Sequence, residues 1–149
     1  QLRWAARAQS YAIHTPRGTL RTESAAFRDY VEAVLAHLQR NTRPGDPVFC
    51  FPWSSFFYFL SGRTNPTSFQ VLLPGQYTRQ QFRQAITELQ RRPPRAVVWE
   101  HFPEARFSPG MDLEGYRELG TYLQQHYRVV AELHCPPPGF VAKTTLMAP

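Results

Sequence analysis

Two four-residue runs with no polar position, Val48-Phe49-Cys50-Phe51 and Ala96-Val97-Val98-Trp99, constrain this chain more than any other feature. A strand with one wet face alternates apolar and polar residues, so an unbroken apolar run reads as a strand covered on both faces. Such cover has to come from helices, and the flanking segments have helical periodicity. From Ser24 to Arg40, residues Phe27, Val31, Val34, Leu35 and Leu38 recur at helical spacing behind the N-cap candidates Thr22 and Ser24, and Arg43-Pro44-Gly45-Asp46 closes the segment. Ser54 to Leu60 reads as a short aromatic helix opened by hydroxyl caps and ended by Gly62, which tolerates a positive φ. Arg63 to Thr67 is loop, because Pro66 biases Asn65 away from the helical region. Thr78-Arg79-Gln80-Gln81 matches a capping box ahead of Phe82, Ile86 and Leu89, and Pro93-Pro94 ends that helix near Arg92. After an eleven-residue loop, His101 to Met111, Asp112 is placed to cap a helix with Leu113, Tyr116, Leu119 and Leu123 as its buried stripe.

Three further strands complete the pattern. Phe69 to Leu73, stopped by Pro74-Gly75, is read as the second strand. Arg128 to Leu133 is the fourth, and Phe140 to Met147 returns antiparallel after Cys135-Pro136-Pro137-Pro138-Gly139, a connection too short for a crossover. Alternating strands and helices predict an α/β fold: an open, mostly parallel sheet of about five strands, Rossmann- or flavodoxin-like, with helices on both faces. The expected spatial order is second, first, third, fourth, with the antiparallel fifth at the edge and Val48–Phe51 in the interior. Residues 1–23 form a lead-in and 24–149 a single domain, which suits a chain of 149 residues. Within the lead-in, Gln1 to Ser10 reads as a helical approach, and Tyr11 to Leu20, broken by Pro16-Arg17-Gly18, as an edge strand or a turn.

Charge and cysteine count narrow the function classes. The net charge of +6 comes from sixteen Arg and Lys143, scattered along the chain without the stacking or base-reading pattern of a nucleic-acid binder. An ordinary solvated surface, or one that rests on anionic lipid head groups, fits that distribution better. Cys50 and Cys135 lack the spacing of a zinc or redox site, and Cys50, inside an apolar run, reads as a small core residue. No apolar run approaches the roughly 20 residues of a bilayer span, and the chain opens at Gln1 without a signal core, as a piece of a longer or processed protein would.

In open α/β sheets, ligands bind beyond the carboxyl ends of the strands, at the switch point of strand order. Here that singles out Pro52-Trp53-Ser54-Ser55 and Glu100-His101-Phe102. Ser54 or Ser55, His101 and Glu104 can be drawn as a Ser-His-acid triad, but there is no strained nucleophile elbow, and helix capping by Ser54 accounts for the serines better. His101, Glu104, His134 and Cys135 lack the fixed geometry of a metal site. With no glycine in the turn after the first strand and no phosphate-loop motif, no nucleotide cofactor or metal is expected. Phe56, Phe57, Tyr58 and Phe59 are core or a docking face before they are a base-stacking platform.

The segment from Phe51 to Phe69, with Pro52, Tyr58-Phe59-Leu60-Ser61-Gly62-Arg63, Asn65-Pro66-Thr67 and then Leu73-Pro74-Gly75, is more specific. It resembles the signature of the soluble C-terminal domain of bacterial polytopic membrane glycosyltransferases. These form the GT-C superfamily, which includes protein O-mannosyltransferase-like and aminoarabinose-transferase-like enzymes. Pro16-Arg17-Gly18, Gly45-Asp46-Pro47-Val48-Phe49 and Arg92-Pro93-Pro94-Arg95-Ala96-Val97-Val98 agree in order, so the likeness spans residues 14–147.

The resemblance implies an extracytoplasmic, periplasmic domain of an integral inner-membrane enzyme that transfers a sugar from a polyprenyl-phosphate donor. The catalytic acidic residues of that family lie between transmembrane helices and map onto no position here. The implied partners are the transmembrane portion of the same polypeptide and the membrane surface or polyprenyl-phosphate lipid, not nucleic acid. On this reading Trp53, Ser54, Tyr58, Arg63, Asn65, Glu100 and His101 are candidate binding residues. Arg63 is either a cation at the head-group level or a ligand for carbonyls at the end of its short helix. A free-standing sugar-phosphate binder or hydrolase with a crevice near Trp53 and His101, and a protein-docking module, are the alternatives.

Overall fold

The structure is a computed structural model and describes residues 10–134 and 143–149. The two apolar runs pair in parallel. Val48–Phe51 (β3) lies beside Ala96–His101 (β4), with Val48 opposite Ala96 and Phe51 opposite Trp99. Alternate residues serve opposite faces. Val48, Cys50, Ala96 and Val98 meet the stripe Tyr30, Val31, Val34, Leu35 and Leu38 of helix α1 (Ala25–Asn41), together with Phe57 and Leu60 of α2 (Phe56–Ser61). Phe49, Phe51, Val97 and Trp99 meet α3 (Arg79–Arg91) and α4 (Glu114–His126) through Phe82, Leu89, Tyr116, Leu119 and Leu123. Helices cover both faces, as continuous apolar strands require.

Local chemistry starts α1 and α3 and stops α2 where sequence spacing predicts. Ser24 Oγ accepts from Phe27 N–H at 3.1 Å, and Thr78 and Gln81 form the reciprocal capping box of α3. Gly62, at φ 67°, is the left-handed residue that ends α2. Asp112 Oδ1 accepts from Glu114 N–H at 2.9 Å at the start of α4. Where α3 and α4 cross, Gly115 lets the backbones approach: a Cβ there would stand 2.9 Å from Arg79 Cα. Outside this contact, Glu118 accepts from Arg79 and Arg83, which hold its carboxyl down at about 2.

The sheet departs from the expected fold class. It has four strands and is mixed, in the order β3-β4-β6-β5, where β5 is Arg128–His134 and β6 is Lys143–Ala148. A separate antiparallel hairpin, β1 (Tyr11–Thr15) and β2 (Gly18–Thr22), packs on α1 through buried Ile13. It takes the place of the edge strand or turn that Tyr11 to Leu20 suggested.

The 69–73 segment forms no strand: side chains fold the loop that leads into it and take both backbone groups of Phe69, its first residue. Asn65 Nδ2 donates to Phe69 O at 2.6 Å, Asn65 Oδ1 accepts from Thr67 N–H, and Ser68 N–H donates to Glu88. With that neighbour missing, β3 is an edge strand and not interior. Its outer side is closed by single bonds, Val48 N–H to Thr64 O and Leu72 N–H to Pro52 O.

The last strand is antiparallel to β5, as a short connection demands, but it lies between β4 and β5 and not at the edge. Burial explains the swap. Thr144, Thr145, Leu146 and Met147 are all buried, whereas β5 carries Arg128, Glu132 and His134 and leaves Val129 and Val130 exposed beside a bulge, features suited to a sheet edge. The turn 135–139, and with it Cys135, lies outside the described residues.

Candidate functional site

The carboxyl ends of β3 and β4 do sit side by side, and they bring Ser54 to Glu100. Glu100 is 2% exposed, and its carboxylate accepts from the Ser54 hydroxyl and, at 3.0 Å, from Ser54 N–H. Tyr30, on the buried stripe of α1, donates its hydroxyl at 3.2 Å and lies 2.9 Å from Thr144 Oγ1, on the strand beside Glu100. Burial raises the Glu100 carboxyl above its ordinary value, while the bonds from Ser54, Tyr30 and the Trp53 backbone oppose the rise. The network ties the loop after β3 to β4, α1 and β6. Ser54 therefore does not cap α2 with its side chain, as its position suggested; its hydroxyl goes to Glu100 and only its carbonyl accepts, from Phe57 N–H.

His101 follows Glu100 directly and so points to the opposite face of the sheet. There its ring stacks on Trp99 at 4.4 Å, and Nε2 lies 2.9 Å from Thr145 Oγ1. Burial, with Lys143 nearby, lowers its pKa. Glu104 forms a bidentate pair with Arg117, at 3.0 and 2.7 Å. Ser54, His101 and Glu104 are therefore three residues with three separate partners, and no relay joins them. The crevice also divides. His101 borders a cleft of about 430 Å³ between β4 and α4, with Trp99, Glu104, Arg117 and Gln124, and Trp53 is not part of its wall. Among the described residues, no group of three or more His, Cys, Asp or Glu side chains could hold a metal.

The other candidates belong to the frame. Tyr58 is buried, and its hydroxyl accepts from Cys50 N–H at 2.8 Å, which fixes α2 to β3. Burial also pushes the Cys50 thiol far above its ordinary value. Asn65 folds its own loop through Thr67 and Phe69.

Arg63, 7% exposed, is no head-group cation. Its Nε donates to Thr42 Oγ1 at 2.8 Å, Nη1 to Ser61 O at 2.5 Å, and Nη2 to Thr42 O at 2.6 Å and Leu38 O at 3.4 Å. It ligates the last carbonyls of its own helix, as one reading had it, and equally those of α1, where a cation also meets the negative end of the helix dipole.

Only Trp53 of the seven candidates is solvent-facing, at 52% exposure. Tyr30 and Thr144 are the residues that sequence reasoning missed. Tyr30 sits one position before Val31 on the α1 stripe, and a polar tip on an apolar helix face was the available signal.

Comparisons with protein-family models, with curated proteins and with solved structures give no match to this chain.

Proposed function

We propose that this chain is a non-catalytic domain of a membrane glycosyltransferase, on the extracytoplasmic side of a bacterial inner membrane, in an enzyme that transfers a sugar from a polyprenyl-phosphate donor. The observation that carries the reading is the use to which the polar residues of the 51–75 signature are put. Tyr58 anchors α2 to β3, Arg63 joins the ends of two helices, and Asn65 folds the loop between them. A motif built of such residues specifies a scaffold, and its chemistry belongs to other parts of the polypeptide. The hydrolase alternative loses its basis, since the Ser, His and acid side chains have separate partners.

The coding sequence upstream of the Gln1 codon tests the proposal. Several apolar spans of about 20 residues each are expected. A start codon at or near Gln1 overturns the reading. In the longer enzyme, His101→Ala is expected to leave the transfer rate within about twofold, because the imidazole is occupied by Trp99 and Thr145 of the sheet.

A further inference from the structure

In α2, Phe56 and Phe59 lie three residues apart on one side of the helix and are 37% and 63% exposed, and Trp53 in the preceding turn is also open. Their neighbours Ser54, Phe57, Tyr58 and Leu60 are buried, so helical register turns Phe56 and Phe59 outward, and Trp53 opens to solvent from the turn before the helix. A cation accompanies them. The β1–β2 turn, Thr15-Pro16-Arg17-Gly18, presents Arg17 with its guanidinium 5.4 Å from the centroid of the Phe59 ring. The turn is held by Thr15, whose hydroxyl donates to Gly18 O and accepts from Arg17 N–H. Arg17 forms no ion pair among the described residues.

We propose that Trp53, Phe56 and Phe59, with Arg17, form a seat for an anionic lipid surface, the rings at head-group depth and the guanidinium on a lipid phosphate. An amphipathic Trp beside an Arg is the pair that settles at a membrane–water boundary, and the two Phe rings add apolar surface to bury there. Stacking on Phe59 keeps Arg17 extended along the face, where its planar fork suits phosphate oxygens. Charge selects the occupant: a chain of net +6 repels a second copy of itself and is drawn to an anionic bilayer. The proposal deepens the glycosyltransferase reading by naming the partner of this face, and it replaces Arg63 with Arg17 as the cation that reaches lipid.

Flotation with vesicles of phosphatidylglycerol and phosphatidylcholine, against phosphatidylcholine alone, tests it. Binding to the anionic vesicles is expected. Trp53→Ala and Phe59→Ala should each weaken it by about tenfold, through lost apolar burial. Arg17→Gln, which leaves α2 untouched, should weaken it about fivefold. Arg91→Gln, on α3 at the opposite face of the sheet, should change nothing. Absence of binding, ring variants that bind like the parent, or an Arg91→Gln loss equal to that of Arg17→Gln would each overturn the proposal. Vesicle binding without upstream spans removes only the glycosyltransferase reading; spans without vesicle binding remove only this one.

Discussion

Arg63→Ala is expected to destabilise the fold by about 4 kcal/mol, the largest effect of any single polar substitution considered for this chain. The guanidinium donates to the Leu38, Thr42 and Ser61 carbonyls and to the Thr42 hydroxyl, all in a buried setting. Its removal takes the guanidinium donor from the Thr42 and Ser61 carbonyls, at the ends of two helices, while Leu38 O keeps the Thr42 N–H; each buried unsatisfied group costs about 1–3 kcal/mol, with the sum reduced because the four bonds share one side chain. Thermal unfolding should register a drop of about 8–16 °C, using about 2–4 °C per kcal/mol for a domain of this size. Arg63→Lys should recover little, since an ammonium cannot span four acceptors that a planar fork reaches together. An Arg63→Ala protein as stable as the parent would show that the guanidinium serves a ligand and not the frame.

Glu100→Ala should cost about 3 kcal/mol, because it strips the acceptor from both Ser54 N–H and the Ser54 hydroxyl and leaves the Tyr30 hydroxyl with Thr144 alone of the two named partners. The ionisation of Glu100 also has a sign. Its folded-state pKa is raised, with burial the largest cause, so the native state holds the proton more tightly than the unfolded chain does. The associated stability is fully present below the ordinary carboxylate range and is lost as pH rises through the folded value. Glu100→Gln keeps the shape and removes the titration. The parent's advantage over this variant should therefore be greatest near pH 4 and shrink toward pH 8, as read by urea unfolding at each pH. An advantage that grows with pH would mean that the four donors outweigh burial.

Elements whose evidence is local were legible in the sequence. The run 48–51 and the run 96–99 pair as parallel neighbours, the Thr78-Gln81 capping box forms, and Gly62 takes its positive φ. The 69–73 segment was misread because an apolar stretch with strand composition does not disclose that Asn65 and Thr67 will bind the Phe69 backbone and Glu88 the Ser68 N–H just before it. Strand order was misread for a related reason. Which hairpin strand lies inside depends on Thr144 and Thr145 being buried while Val129 and Val130 are not, the reverse of their hydropathies. At the site, parallel pairing of β3 and β4 did bring Ser54 to Glu100, although with β3 at the sheet edge there is no switch point between them. That pairing could not show that consecutive residues Glu100 and His101 face different layers with different partners, or that Tyr30 and Thr144 complete the Glu100 network.

The central claim is that the polar residues at the strand ends hold the fold and not a substrate. A double-mutant cycle of Ser54→Ala and Glu100→Gln, measured by urea unfolding near pH 4, where burial does not penalise the Glu100 carboxyl, tests it most directly. Both single variants should be less stable than the parent, with a coupling of about 1–3 kcal/mol between them. A gain in stability from either substitution, the mark of a site strained for chemistry, or strict additivity of the two, would contradict the account.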